Sequence, residues 1–273
     1  MLPILIPTDF SDVANNAVHF GCSMAIDQNN SVVLLHAFMM PVNINEDPMM
    51  IMPLNEGQEI AEGRFDAFTE RLRKEYPQLK IESVFMMGDL HDCIDDYASE
   101  NPISIVVMGN SGEGSTMLWL GSNVTSVMKH VKQFVLAVPS KISYARPLKI
   151  GFACDFKSHK NHEQLQQLAD WVQILGAELH VVNVNDNNKD VSPESIYEDS
   201  IVHQALMKVK PEYHLLQGQN ADEVINGFVN THNMDWLVIA PHHHSFFERI
   251  FHKSHTTTLI QHCAVPLLAI HEL

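Results

Sequence analysis

Met108-Gly109-Asn110-Ser111-Gly112, followed after eight residues by Gly121-Ser122-Asn123, continues the apolar run Ile103 to Met108. That run reads as a buried strand. Ser122 opens the amphipathic segment Val124 to Val131, which reads as a helix. A strand, a glycine-bearing turn and a helix N-terminus make a place to hold phosphate. Glycine lets the backbone approach an anion, and the unpaired N–H groups of a helix's first turn point at it. An ordinary tight strand-to-helix loop uses glycine in the same way, so this segment alone leaves both readings open.

Working outward, Leu2-Pro3-Ile4-Leu5-Ile6-Pro7-Thr8-Asp9-Phe10-Ser11 is an apolar strand ending at Pro7. Ser11 is an N-cap for a helix in which Ala14, Val18, Cys22 and Ala25 recur at helical spacing. A second strand, Ser31 to Phe38, carries Leu35-His36-Ala37. In this order the three pieces resemble the universal stress protein family, with its P-[TV]-D-[FG]-S, its L-H-V and its M-G-x2-G-x9-G-S. The resemblance implies an adenine nucleotide alpha hydrolase-like, Rossmann-like fold, with ATP the usual ligand of members that keep the glycines.

The pattern is written twice. Ser122, Thr125, His130, Leu136 and Ala137 recur as Ser254, Thr257, His262, Leu268 and Ala269, at a constant offset of 132. Asp9-Phe10 recurs as Asp155-Phe156, and Leu35-His36-Ala37 is matched to Leu179-His180-Val181. The apolar strand Phe134 to Val138 gives way between Pro139 and Pro147 to Ser, Lys, Arg and Pro. The expected domains are therefore 1–140 and 147–273, each of ordinary size for a single core.

Strands are expected at Leu2–Ile6, Ser31–Phe38, Leu79–Met86, Ile103–Met108 and Phe134–Val138, with helices at Asp12–Asp27, Gly57–Glu75, Leu90–Ser99 and Ser122–Val131. In the second half strands are expected at Leu148–Ala153, Glu178–Asn185, Glu212–Leu216, Trp236–Ala240 and Pro266–Ile270, with helices at Lys160–Leu175, Pro193–Lys208, Ala221–His232 and Ser254–His262. Near-continuous apolar strands alternating with helices mean a parallel sheet covered on both faces. The fold class is α/β: two tandem doubly wound parallel five-stranded sheets. The resemblance suggests strand order 3-2-1-4-5 in each, and an internal pseudo-dimer in which the fifth strands meet edge to edge. Ligands of such sheets bind where the strand order reverses, here between strands one and four.

The resemblance carries over to Pro7, Thr8, Asp9, Ala37, Met108, Gly109, Gly112, Gly121, Ser122 and Asn123. By that analogy Asp9 and Ala37 meet base and ribose, and Gly112, Gly121 and Ser122 meet the phosphates. One departure is the gap from Gly112 to Gly121, eight residues where the family has nine. In the second half Ala240, His243 and Lys253 stand at the glycine positions, so nucleotide is expected in the first half only.

What fills the second half's loop is His242-His243-His244, then Glu248, His252 and His255, five histidines in fourteen residues. Neutral imidazole ligates zinc and similar divalent transition metals. The candidate ligands are His242, His244, Glu248, His252 and His255. The spacing matches no zinc signature, and the same side chains also read as filler of a vacated crevice. A second unusual segment, Met39 to Pro53, holds five methionines and three prolines. It reads as a lid, a partner surface or a loop packed on its own domain.

The formal charge of −16 argues against nucleic acid and anionic membrane as partners. No run reaches the length of a membrane span, and no leader is recognisable, so the cytoplasm is expected. Cys22, Cys93, Cys154 and Cys263 form no C-x-x-C pair and read as reduced core thiols. No Walker P-loop, nucleophile elbow or H-E-x-x-H appears, and no Lys or Arg lies in Gly109–Asn123. At most slow ATP hydrolysis is expected. Two functions remain: a nucleotide-binding regulatory stress protein, or a ligand-free or metal-binding interaction scaffold. Further homo-oligomerisation and the identity of any protein partner stay open.

Overall fold

The computed structural model describes residues 2–39, 54–110, 120–154, 162–185, 201–218, 220–240 and 264–270. The first half runs β1 (Ile4–Pro7), α1 (Asp12–Gln28), β2 (Val32–Phe38), α2 (Leu54–Glu75), β3 (Ile81–Met87), α3 (Leu90–Glu100), β4 (Ile105–Asn110), α4 (Leu120–His130) and β5 (Val135–Pro139). The second half runs β6 (Lys149–Ala153), α5 (His162–Leu175), β7 (Glu178–Asn185), α6 (Ile201–Leu206), β8 (Glu212–Gln217), α7 (Ala221–Thr231), β9 (Trp236–Ile239) and β10 (Leu267–Ala269).

The strands form one ten-stranded sheet in the order β3-β2-β1-β4-β5-β10-β9-β6-β7-β8. Every pair is parallel except β5–β10. Each half thus has the order 3-2-1-4-5, and the fifth strands join antiparallel, as expected. Leu136 pairs with Leu268, flanked by Ala137–Leu267 and Val135–Ala269. Since Leu268 is Leu136's own counterpart in the repeat, a pseudo-twofold axis passes through this pair. The junction removes two exposed edges that would otherwise template aggregation.

Alternation along each strand builds a core on both faces. Ile4, Ile6, Val32, Leu34, Ile105 and Val107 point to the face covered by Ala17, Val18 and Phe65 of α1 and α2. Leu5, Val33, Leu35, Val106 and Met108 point to the other, against Cys93, Ile94, Val124 and Val127 of α3 and α4. Burial of both sides is why the strands lack polar alternation. Cys22, Cys93 and Cys154 are buried. Burial, with Glu75's charge adding to it, pushes the Cys22 thiol up to about 12, where it is inert. Cys263 lies outside the described residues. No helix among the described residues is long and apolar enough to cross a membrane.

The connection between halves is held, not loose. Asn16 Nδ2 donates to the carbonyls of Pro139 (3.1 Å) and Ile142 (3.0 Å). The Tyr144 hydroxyl donates to Asp27 Oδ2 at 2.8 Å, and Arg146 Nε reaches the same oxygen at 2.9 Å. The Tyr144 ring meets Phe20 edge-on at 5.2 Å.

Three readings change. The helix after Gly112 already includes Leu120, so Gly121 and Ser122 lie within its first turn instead of Ser122 opening it. The single helix expected at 193–208 is, where described, α6 followed by a 3-10 turn at Met207–Val209; residues 193–200 lie outside the described residues. The third concerns the repeat on β7. Ile4 pairs with Val32 and its counterpart Ile150 with Leu179, which makes Asn183, not His180, the equivalent of His36. The chemistry agrees: His36 Nδ1 bonds the Thr8 carbonyl at 2.7 Å, and Asn183 Nδ2 donates to the matching Cys154 carbonyl at 2.8 Å. The slip escapes notice because Leu179-His180-Val181 copies the composition of Leu35-His36-Ala37, while the true counterpart Val182-Asn183-Val184 does not.

Candidate functional site

A cleft of about 460 Å³ opens at the carboxyl ends of the first half's strands, at the reversal between β1 and β4. Pro7, Thr8 and Asp9 come from the end of β1, Ala37 from β2, and Met108 and Gly109 from β4. Asn123 closes it from α4. Gly112 lies outside the described residues. Gly121 and Ser122 are placed by their backbone in the first turn of α4, but nothing further is described of them.

The β1–α1 turn is built from its own side chains. Thr8 donates its N–H to the Leu35 carbonyl at 2.9 Å, which anchors β1 to β2. Its Oγ1 accepts from the Phe10 N–H at 3.2 Å, and Asp9 Oδ1 accepts from the Ser11 N–H at 2.9 Å. Ser11 Oγ then accepts from the Ala14 N–H at 3.2 Å and starts α1. This tight path puts Phe10 at φ 66, a left-handed conformation costly for a bulky residue. Its ring is held by His36 at 4.7 Å and Phe68 at 5.6 Å, with the Arg64 guanidinium 4.8 Å above it. The result is an exposed Asp9 at the cleft mouth on a rigid base.

Gly109 has a reason of its own. A Cβ there would stand 2.5 Å from the Val13 carbonyl oxygen and 2.8 Å from its carbonyl carbon. Only glycine lets the first turn of α1 lie this close on β4. The close approach that the sequence pattern ascribes to a ligand is, at this glycine, an approach of backbone to backbone.

The β3–α3 corner was not foreseen as part of the site. Gly88, Asp89, Leu90 and His91 form a further wall of the cleft, with Ser126 and Val127 of α4. Gly88 has φ +136, which a side chain rarely tolerates, and turns the chain into α3. Asp89 occupies the N-cap position of α3 but makes no capping hydrogen bond with its side chain. The signal was present in sequence as Gly-Asp before a helix, but only the strand order brings β3's end to β1's. His91 packs beside His130 of α4, ring centres 5.2 Å apart, which ties the two walls together. The cleft is chemically polarised. The carboxylates Asp9 and Asp89 come from the β1 and β3 side; glycine and the first turn of α4 come from the β4 side.

In the second half Ala240 directly follows β9 at the position of Gly109 and is fully buried. The loop candidates His242, His244, Glu248, His252 and His255 lie outside the described residues. So does 40–53 of the Met-rich segment; Met39, at its start, is exposed and lines the cleft.

Comparison with known proteins gives a consistent answer. The sequence profile of the universal stress protein family matches residues 1–139 and 148–271. Among solved structures, a universal stress protein from Archaeoglobus fulgidus superposes with a TM-score of 0.70 at 16% identity, covering 99% of this chain and 96% of that one. A putative universal stress protein from Pseudomonas aeruginosa gives 0.58 at 14% identity, covering 99% and 93%. At these identities the structural likeness establishes the fold. Among curated protein sequences none matches the chain.

Proposed function

We propose that this chain, which belongs to the universal stress protein family, is a regulatory stress protein that binds ATP or a related adenine nucleotide in its first half only. The observation that carries this reading is the cleft itself. It sits at the strand-order reversal, where ligands of such sheets bind, and its volume of about 460 Å³ falls in the usual range of small-molecule sites. Its polarity suits a nucleotide. Carboxylates at Asp9 and Asp89 accept from ribose hydroxyls and an exocyclic amine, and would repel phosphate. The first turn of α4, with Gly121, Ser122 and Asn123, offers the backbone N–H donors that an anion needs. Pro7, Thr8, Ala37 and Met108 supply apolar and backbone contacts to the base.

In this reading residues 1–140 carry the nucleotide and residues 147–273 form a degenerate partner domain, in the cytoplasm. The described lining holds two carboxylates and one imidazole and no Lys or Arg, which favours binding over phosphoryl transfer. Mass analysis of the supernatant from denatured protein tests the proposal, together with a competition titration on Ala37→Leu. Leucine at this cleft-lining position fills space where the base would lie. Adenine nucleotide carried by the wild type and lost in the variant supports the reading. Nucleotide-free protein with no affinity for ATP would leave the interaction scaffold.

A further inference from the structure

The slip in the repeat on β7 leaves His180 without the role of His36, since Asn183 has taken it. What His180 has instead is company. The register pairs His180 with Glu212 and Val182 with His214, so the two histidines and the glutamate share one face of adjoining strands. His180 Nδ1 stands 3.1 Å from His214 Nε2. Glu212 offers one carboxylate oxygen 3.5 Å from His180 Nδ1 and the other 3.6 Å from His214 Nε2. We propose that His180, His214 and Glu212 form a site for a divalent transition ion of the zinc class, clipping the edge strand β8 to β7.

The three separations carry the geometry. Ligand atoms bound at about 2.0–2.2 Å in tetrahedral directions lie about 3.3–3.5 Å from one another. His180 Nδ1 and His214 Nε2 therefore stand close to one edge of a tetrahedron; one ligand atom from each of the three residues lies within 4.8 Å of the others, so a turn of the exposed Glu212 side chain brings one oxygen onto the same face and leaves the fourth corner for water. Two imidazoles and one carboxylate suit zinc, cobalt or nickel, and not magnesium or calcium, which take oxygen ligands.

The surroundings fit a ligand set. His180's side chain is 8% exposed, and its Nε2 is buried with no hydrogen-bond partner. Glu178 Oε2, two residues earlier on the same face, is 3.7 Å from that nitrogen. With a metal on Nδ1 the ring must carry its proton on Nε2, and Glu178 is the acceptor that orients it. His214 lies against the Phe228 ring at 4.7 Å, with the His232 ring 5.5 Å away. Glu212, 67% exposed, leaves a path for an ion to enter from solvent.

The test is cobalt(II) titration of the full chain, followed by the visible d–d absorption of a tetrahedral ion, with zinc competition. Glu212→Gln and His214→Ala are read beside a loop variant, His242→Ala with His244→Ala. The site predicts one strong tetrahedral cobalt per chain in the wild type and in the loop variant. His214→Ala should weaken binding more than 100-fold and Glu178→Gln by about 10-fold. Glu212 and Glu178 are exposed, so their variants fold and keep the test valid even if His214→Ala does not. Zinc should raise the thermal midpoint of the wild type and leave that of Glu212→Gln nearly unchanged. No tetrahedral spectrum at micromolar cobalt, or one abolished by the loop variant and untouched by Glu212→Gln, overturns the proposal.

Discussion

Replacing Gly109 by alanine tests how the cleft's floor is made. The added Cβ would sit 2.5 Å from the Val13 carbonyl oxygen and 2.8 Å from both its carbonyl carbon and Cγ1. Carbon and oxygen not bonded to each other rest beyond 3 Å, so the first turn of α1 must retreat from β4 by about 0.5–1 Å; overpacking of this kind costs about 1–3 kcal/mol. Backbone cannot rotate aside as a side-chain tip does, so the upper end applies, about 3 kcal/mol. In a chain of this size that lowers the thermal midpoint by about 6–12 °C. The matched control is Gly63→Ala. Gly63 lies exposed within α2 with nothing within 4 Å of its would-be Cβ. There alanine should add about 0.5–1 kcal/mol of stability. Urea unfolding of both variants beside the wild type gives the comparison. If Gly109→Ala unfolds within 0.5 kcal/mol of the wild type, the close contact of α1 on β4 is wrong.

Phe10→Gly relieves about 1 kcal/mol of left-handed strain but gives up about 3–4 kcal/mol of ring packing, so urea unfolding should show a net loss of about 2–3 kcal/mol. Leu136→Ala, at the pseudo-twofold axis and fully buried, should cost about 3 kcal/mol and yield more aggregation on heating, seen by light scattering. Asp27→Asn should cost about 1 kcal/mol at neutral pH and change the acid limb of stability. Burial opposes ionisation of Asp27, but the hydrogen bonds from Arg146 and Tyr144 and the Arg146 charge outweigh it and hold its carboxyl below the ordinary value. The stability this gives is complete above the unfolded value of about 3.9 and is lost as pH falls through the folded one. Wild type should therefore lose stability below about pH 4, while Asp27→Asn loses less there in acid titrations of the thermal midpoint.

Much of the fold was legible because strands buried on both faces cannot hide. Ile105 to Met108 and Phe134 to Val138 are unbroken apolar runs, and the recurrence of Leu136-Ala137 as Leu268-Ala269 placed the junction of the halves. The register of β7 was concealed by a look-alike triplet. Leu179-His180-Val181 copies the composition of Leu35-His36-Ala37, while the true counterpart three residues on, Val182-Asn183-Val184, has exchanged the histidine for asparagine. Local turn chemistry was equally readable: Ser11 caps α1 as its position after Asp9 suggested. What sequence could not give were arrangements made by strand order alone. Gly88 to His91 reach the cleft because β3 lies beyond β2 from β1, and His180 meets Glu212 and His214 across 32 to 34 residues of chain. Gly109 shows a further limit, since a glycine's spacing does not say whether ligand or backbone comes close.

A single adenine-nucleotide site in the first half is measured directly by isothermal titration of the whole chain with ATP. The expected result is one site per chain, weakened by Asp9→Ala and abolished by Gly121→Val, whose β-branched side chain would crowd the first turn of α4. Two sites per chain, undiminished affinity in Gly121→Val, or no heat of binding in nucleotide-free wild type would contradict it.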